Sequence, residues 1–192
     1  MTDIIDELAD IEPGSRLDVL RQQRQEAKTQ AQATYDALFS PVSDAAFSLP
    51  ERWAVAAFVA GISGVAEDHY QGGLAAAAGE LAGPVARAVQ AGLAEGPYGS
   101  FPGELAKESR EGPELALGES LAAELGDRLT AALEHAHLLL LHPRDASRQR
   151  LEALVEAGWD ADGIVTLSQL VSFLSFQLRV VAGLRVLGEE SK

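Results

Sequence analysis

The chain contains no cysteine. That absence removes a disulfide framework, a thiolate zinc site and any redox pair, because each needs sulfur that this polypeptide does not supply. Basic residues are also scarce. Fifteen Lys and Arg stand against 29 Asp and Glu, a formal charge of −14 over 192 residues. Such a charge keeps a protein in solution and repels phosphate groups, so nucleic acid and anionic membrane are poor partners. Long uninterrupted apolar runs are missing as well. The longest stretches are broken by His135 and His137 or by Gln177 and Arg179, and they read as short of the ~20 apolar residues that cross a bilayer. The opening stretch, Met1 to Glu7, is acidic where a secretory signal is basic and then apolar. Export by that route is not indicated, and the cytoplasm is the expected compartment.

What is present is apolar and helical in pattern. Apolar residues make up 47% of the chain, enough burial to offset the entropy of ordering it, and the length suits one domain over 1–192. Residues 15–39 read as a surface helix capped by Ser15, with Leu17, Leu20 and Ala27 on its apolar stripe. Ser48-Leu49-Pro50-Glu51 has the spacing of a capping box, and the helix it opens, from Trp53 to Tyr70, is apolar on nearly every side. The Ala-rich stretch 74–94 carries Pro84, which starts a new helix or kinks an old one. Residues 96–118 are dense in glycine and proline and read as one long loop, a lid or an oligomer contact. Helix returns from Glu119 to Leu141 and stops before Pro143. Asp145 caps a short helix through Ala157, and Asp160 or Asp162 opens the last one, Ile164 to Leu187, expected to be the most buried element. Shifting the chain by 110 positions lays Gly73-Leu74 over Gly183-Leu184 and Leu49-Pro50 over Trp159-Asp160, a pattern of two related helical units.

The run Gly158-Trp159-Asp160-Ala161-Asp162-Gly163-Ile164 through Gly183-Leu184, with His142-Pro143-Arg144-Asp145-Ala146-Ser147 ahead of it, resembles the C-terminal half of a known family. That family is the peroxidase-related branch of the alkylhydroperoxidase-D-like, carboxymuconolactone-decarboxylase superfamily. Ser48 to Arg52 and the apolar helix after them look like the family's N-terminal core, so the likeness covers roughly 35–187. The resemblance implies an all-α bundle of about six to eight helices with an internal pseudo-repeat, and a homo-oligomer. Active members of the family carry Cys-x-x-Cys followed by histidine, with a glutamate upstream: one thiolate attacks peroxide, the second resolves the sulfenic acid, and His with Glu moves the proton. Here the cysteine positions fall near Val65 and Asp68 and the glutamate position near Trp53. The chain therefore resembles a cysteine-free subgroup of carboxymuconolactone-decarboxylase-domain proteins, in which thiol peroxidase activity is expected to be absent.

Three residues are candidates for chemistry without sulfur. His69, beside Glu67, Asp68 and Tyr70, suits acid/base work with a carboxylate fixing its tautomer; the plainer reading is a histidine at a helix C-terminus, favoured by the dipole. Glu51 is a capping-box residue by spacing and a general base as the alternative. Arg179, alone in an apolar helix, is either half of a buried Arg–Glu pair or an anion contact. The 110-position shift lays Arg179 over His69, so the two are expected near one cavity. His135 and His137 stand two apart and do not share a helix face, and Glu134 and His142 add no recognised ligand pattern, so neither a metal nor a cofactor is expected. Two functions remain open. One is a non-redox binding or assembly subunit, alone or beside a cysteine-bearing family relative; the other is a thiol-independent enzyme for decarboxylase, lactone or acid chemistry through His69, Glu51 or Arg179. The purified, metal-stripped chain is expected to consume hydroperoxide no faster than buffer in an absorbance assay, and turnover at an enzymatic rate would overturn the exclusion of thiol chemistry.

Overall fold

The computed structural model describes residues 3–189. Met1 and Thr2 of the acidic opening stretch lie outside the described residues. Among the described residues there are ten α-helices and no strand: α1 Ile4–Leu8, α2 Arg16–Gln22, α3 Gln25–Phe39, α4 Leu49–Ser63, α5 Glu67–Ala78, α6 Ala82–Gly92, α7 Glu119–Leu125, α8 Asp127–Leu141, α9 Arg148–Glu156 and α10 Ala161–Glu189. The all-helical expectation holds. The count exceeds six to eight because glycines and caps cut segments that periodicity alone joins.

Helix α4 is the centre. Its N-terminus is the capping box expected from sequence: Glu51 N–H donates to Ser48 Oγ, and the Glu51 carboxylate accepts from Ser48 N–H at 2.9 Å. Every residue from Ala54 to Gly61 is buried, and α3, α5, α6, α8 and α10 all pack against it. Small side chains permit this. A Cβ on Gly61 would lie 2.7 Å from Val89 of α6, so only glycine allows that crossing.

The reading of one helix from Trp53 to Tyr70 is corrected. Gly64, at φ +65°, ends α4 in the left-handed conformation, Ala66 follows at φ +56°, and α5 starts at Glu67. A glycine at this place is the common helix stop, and here it overrides a continuous apolar pattern. Similarly, 15–39 divides at Gln23-Arg24, and Glu119–Leu141 divides at Gly126, φ +78°. Ser15 does cap α2, accepting from Asp18 N–H, but Leu20 is exposed. The short α9 begins after Ser147, not at Asp145, while Asp160 accepts from Gly163 N–H at 2.7 Å and opens α10.

Two arginines tie the segments to α4. Arg52, buried, donates to Phe47 O and Leu38 O, each at 2.8 Å, and burial lowers its pKa. Arg128 of α8 pairs with Glu51 at 2.6 Å, donates to Gly158 O at 2.7 Å and lies 3.9 Å over the Trp159 ring. At the N-terminus Asp3 and Asp6 pair with Arg21, and Asp6 also with Lys28, holding α1 against α2 and α3. Helix α1 has five residues, too few for periodicity to mark it.

Helix α10 departs from expectation in two ways. It is not the most buried element, a place that α4 takes, because Val165, Phe176 and Val186 are exposed along its outer face. It is also long and apolar enough to cross a membrane by length and composition, with a mean hydropathy of 1.6 over an 18-residue window of which 44% is buried. Gln177 and Arg179 do not lower the average below that level. The 110-position shift lays Leu49, the first residue of α4, over Trp159, two residues ahead of α10, and the two helices then differ in course, since α4 ends at Ser63 and α10 runs unbroken to Glu189.

Glycine 73 of α5 faces the Trp53 ring, where a Cβ would lie 2.1 Å from Cζ3, and that ring is held by Phe39 at 4.5 Å. Gly73→Ala should destabilise the fold by about 1–3 kcal/mol despite alanine's better helix propensity. Chemical denaturation measures it, and an unchanged midpoint would contradict the packing described.

Candidate functional site

The three residues named from sequence do not form one site. His69 lies in the first turn of α5, not at a helix C-terminus. Its Nε2 is 2.9 Å from Tyr35 Oη, and its ring meets Tyr70 edge-on at 4.9 Å. Burial lowers the His69 pKa, with Glu7 acting in the opposite sense, and burial raises Tyr35 to about 12. The pair is thus a neutral imidazole bonded to a neutral phenol. Glu51 is committed to Ser48 and to Arg128. Arg179 is exposed and donates to Ser175 O of its own helix at 3.2 Å, so it is not half of a buried Arg–Glu pair. His69 and Arg179 line separate hollows that flank the α4–α5 turn, the first with Glu7, Asp68 and Arg185, the second with Val65, Glu95 and Leu141. Neither hollow holds both residues, so among the described residues the two do not share the cavity expected of them. Val65 and Asp68, where the resemblance lays the cysteine positions, fall in that turn and in the first turn of α5.

A different group of residues lines a partly open cavity. Ala131, Glu134, His135, Leu138 and His142 follow the spacing that puts side chains on one helix face, and all line a space of about 70 Å³ beside α8. His137 borders it. Glu114 and Leu115 of the loop before α7, and Arg150 and Ala153 of α9, close the other side. The Glu114 and Arg150 side chains pair across the rim.

The loop is fastened over α8 by His142, whose Nε2 is 2.9 Å from Pro113 O and whose Nδ1 is 3.1 Å from Asp145 Oδ2. The hydrogen bond from His142 and one from Ser100 N–H lower the Asp145 pKa. Tyr98 packs its ring 5.1 Å from His142, and Arg110 and Arg144 cover Tyr98 and Phe101. His137 donates Nε2–H to Gly92 O at 3.0 Å, which leaves its Nδ1 a bare acceptor. Gly92 makes this approach possible, since a Cβ there would meet His137 Cδ2 at 3.1 Å.

His135 is the anomaly. It is 6% exposed, it lines the cavity, and neither ring nitrogen has a hydrogen-bond partner. Burial lowers its pKa, so it is a neutral imidazole with one N–H and one lone pair to offer. Leaving such a group unsatisfied costs about 1–3 kcal/mol. Room for several waters or one small molecule is present, by the rule that one water needs about 10–15 Å³ of such space. Among the described residues no three His, Asp or Glu side chains converge as metal ligands.

Sequence reasoning weighed these histidines only as a chelate and set them aside on spacing. The available signal was four polar residues, Glu134, His135, His137 and His142, inside a run otherwise made of Leu and Ala. That the loop folds over them was not written in the local pattern. No protein-family model, no curated protein and no solved structure matches this chain.

Two outcomes follow from the cavity histidine. His69, His135 and His137 all have folded-state pKa values below 6.5, so the unfolded chain binds more protons just below that pH. The stability they contribute is complete above about pH 6.5 and is lost as pH falls toward their depressed folded values. Thermal unfolding should shift downward between about pH 7.5 and about pH 5.5, and His135→Leu should flatten that dependence. The same variant should be neutral or stabilising by about 1 kcal/mol, because it removes an unsatisfied polar group from an apolar wall. A variant that unfolds more easily at neutral pH would show that His135 is held by bonds of its own.

Proposed function

We propose that this chain is a non-redox binding protein that holds a small molecule in the α8 cavity. The observation that carries the reading is a partly open hollow of about 70 Å³ whose lining gathers Glu134, His135, His137 and His142, with the buried His135 ring left without a hydrogen-bond partner. A cavity that serves packing alone is apolar, and buried polar groups are otherwise bonded. Without sulfur, the histidines, Glu134 and Arg150 supply the polar chemistry, and enclosure by a loop fastened through His142 supplies selectivity of size. The alkylhydroperoxidase-D-like lineage is part of this proposal. Support for it is the resemblance over 158–184, the capping-box start of α4 and the all-helical fold. On that lineage the chain is a cytoplasmic family member that has given up thiol turnover and acts as a binding subunit, alone or beside a cysteine-bearing relative.

A second reading, thiol-independent acid/base catalysis, draws on the same residues: a neutral His135 next to Glu134 is the protonation state a general base needs. His69, Glu51 and Arg179 fit it less well, being bonded to Tyr35, bonded to Arg128, and exposed. The two readings part on turnover. Titrating ¹⁵N-histidine-labelled protein with a panel of small alcohols, acids and amines should move the His135 ring signals saturably and leave those of His69 in place. A panel that leaves His135 unmoved removes both.

The homo-oligomer belongs to the same proposal. Between Asp162 and Glu189 no acidic residue occurs, in a chain of charge −14. Copies repel least along that face. Val165 and Val186, 56% and 55% exposed, stand almost symmetrically about Phe176, 50% exposed, so two α10 helices packed antiparallel bring Phe176 to a twofold axis and valine beside valine. Phe176→Glu should convert a dimer to monomer in sedimentation velocity; a wild-type monomer at micromolar concentration would remove the assembly.

A further inference from the structure

Arg52 is the most buried lysine or arginine among the described residues, 4% exposed, and within them it makes no ion pair. The other shielded cations do: Arg21 and Lys28 with Asp3 and Asp6, and Arg128 with Glu51. Two carbonyls, Phe47 O and Leu38 O, take one N–H from Arg52 Nε and one from Nη1. A guanidinium has five N–H donors, so three remain, two of them on Nη2. That nitrogen has no hydrogen-bond partner among the described residues and is open to solvent. Asp44 and Glu51 favour the charged form from beyond ion-pair distance, against the desolvation that burial imposes. Carbonyl dipoles satisfy donors, but they do not cancel a full charge.

The side of Arg52 left open belongs to a groove. Between α3, the loop after it and the start of α10 lies an open groove of about 1220 Å³, with Arg52 in its lining. No Asp or Glu lines it, in a chain that has 29 of them, and Arg52 is its one charged residue among those described. Ser40, Gln169 and Ser172 also line it, with side chains that make no hydrogen bond among the described residues and are free to donate. A cationic ligand would meet a positive charge with no carboxylate to offset it, and a neutral one would leave that charge uncompensated. A doubly charged anion brings one charge more than the lining matches, in a molecule of net charge −14. A planar oxyanion with one charge fits the planar fork of uncommitted guanidinium N–H groups.

From these features we infer that the groove between α3 and α10 is an anion site, in which Arg52 holds a singly charged planar oxyanion, the carboxylate end of a small molecule. The site shares no lining residue with the hollow beside α8 and does not depend on the binding reading given to that hollow. Ser40, Gln169 and Ser172 supply further donors, and a groove of this size leaves room for the body of the ligand beyond its charged end.

The test follows the Arg52 Nε–H signal of the full chain, labelled with ¹³C and ¹⁵N and assigned through its own side-chain carbons. Sodium acetate, sodium sulfate and acetamide are titrated separately, with ionic strength held constant by sodium chloride. Acetate should move the Arg52 signal saturably, leaving Arg21 and Arg128, already paired with carboxylates, in place. Sulfate and acetamide should do neither. Ser40 is exposed and its side chain unbonded, so Ser40→Glu adds a carboxylate at the groove while sparing the carbonyl bonds of Arg52. It should weaken acetate about tenfold or more by like-charge repulsion, with helical circular dichroism unchanged. Val165 borders the groove and also lies on the α10 face proposed for pairing, so the Phe176→Glu chain is titrated too and should respond as the wild type does. No movement of Arg52 with acetate, indifference to Ser40→Glu, or a response lost in Phe176→Glu would overturn the site. Sulfate or acetamide acting as strongly as acetate would overturn the ligand class.

Discussion

Helix α4 can be surrounded on every side because its middle is built from alanine and glycine, and the rest of the molecule is arranged around that fact. Ala54, Ala56, Ala57, Ala60 and Gly61 are buried with no bulk to hold neighbours away, so α5, α6, α8 and α10 all approach it closely. Small residues contribute little apolar area each, and stability comes instead from the larger side chains that neighbours direct inward, such as Leu74, Leu133, Leu170 and Leu174. Arg52 and Arg128 then fix the entry to α4, one by bonding the carbonyls before it, the other by pairing with the glutamate of its cap.

With its inner face spent on α4, α8 turns a second face toward the loop ahead of α7, and the cavity lies between them. This region departs from how the rest of the interior is built. Elsewhere the buried ionisable groups are bonded, by opposite charge in the Asp3, Asp6, Arg21 and Lys28 cluster and by two carbonyls at Arg52. Here, among the described residues, the His135 ring has no hydrogen-bond partner, Glu134 has a backbone N–H but no cation, and the partly open space beside them is lined by side chains from three parts of the chain. Buried polar groups left open lower stability, which is the cost that the proposed binding role accounts for.

Much of the architecture was legible in local pattern. The capping box at Ser48, the cap at Ser15, the start of α10 at Asp160 and the helix end before Pro143 follow from short-range hydrogen bonding, which needs only neighbours in sequence. The break at Gly64 was not legible because the apolar pattern on both sides is continuous and glycine is tolerated inside helices. The role of Glu51 was readable only in half: its cap is local, whereas its pairing with Arg128 joins residues 77 positions apart. His69 was placed at the wrong end of a helix for the same reason as Gly64, and its bond to Tyr35 is a tertiary fact.

By itself, the sequence determined that this protein is helical, acidic and without thiol chemistry, because composition and 3.6-residue periodicity act along the chain. Tertiary structure alone decided where the polar chemistry sits. His135 becomes unpartnered, Glu134 unpaired and His142 a fastening only when the loop and α9 close over α8. Burial and charge pairing depend on what comes near through space, and spacing along one helix carries no record of it.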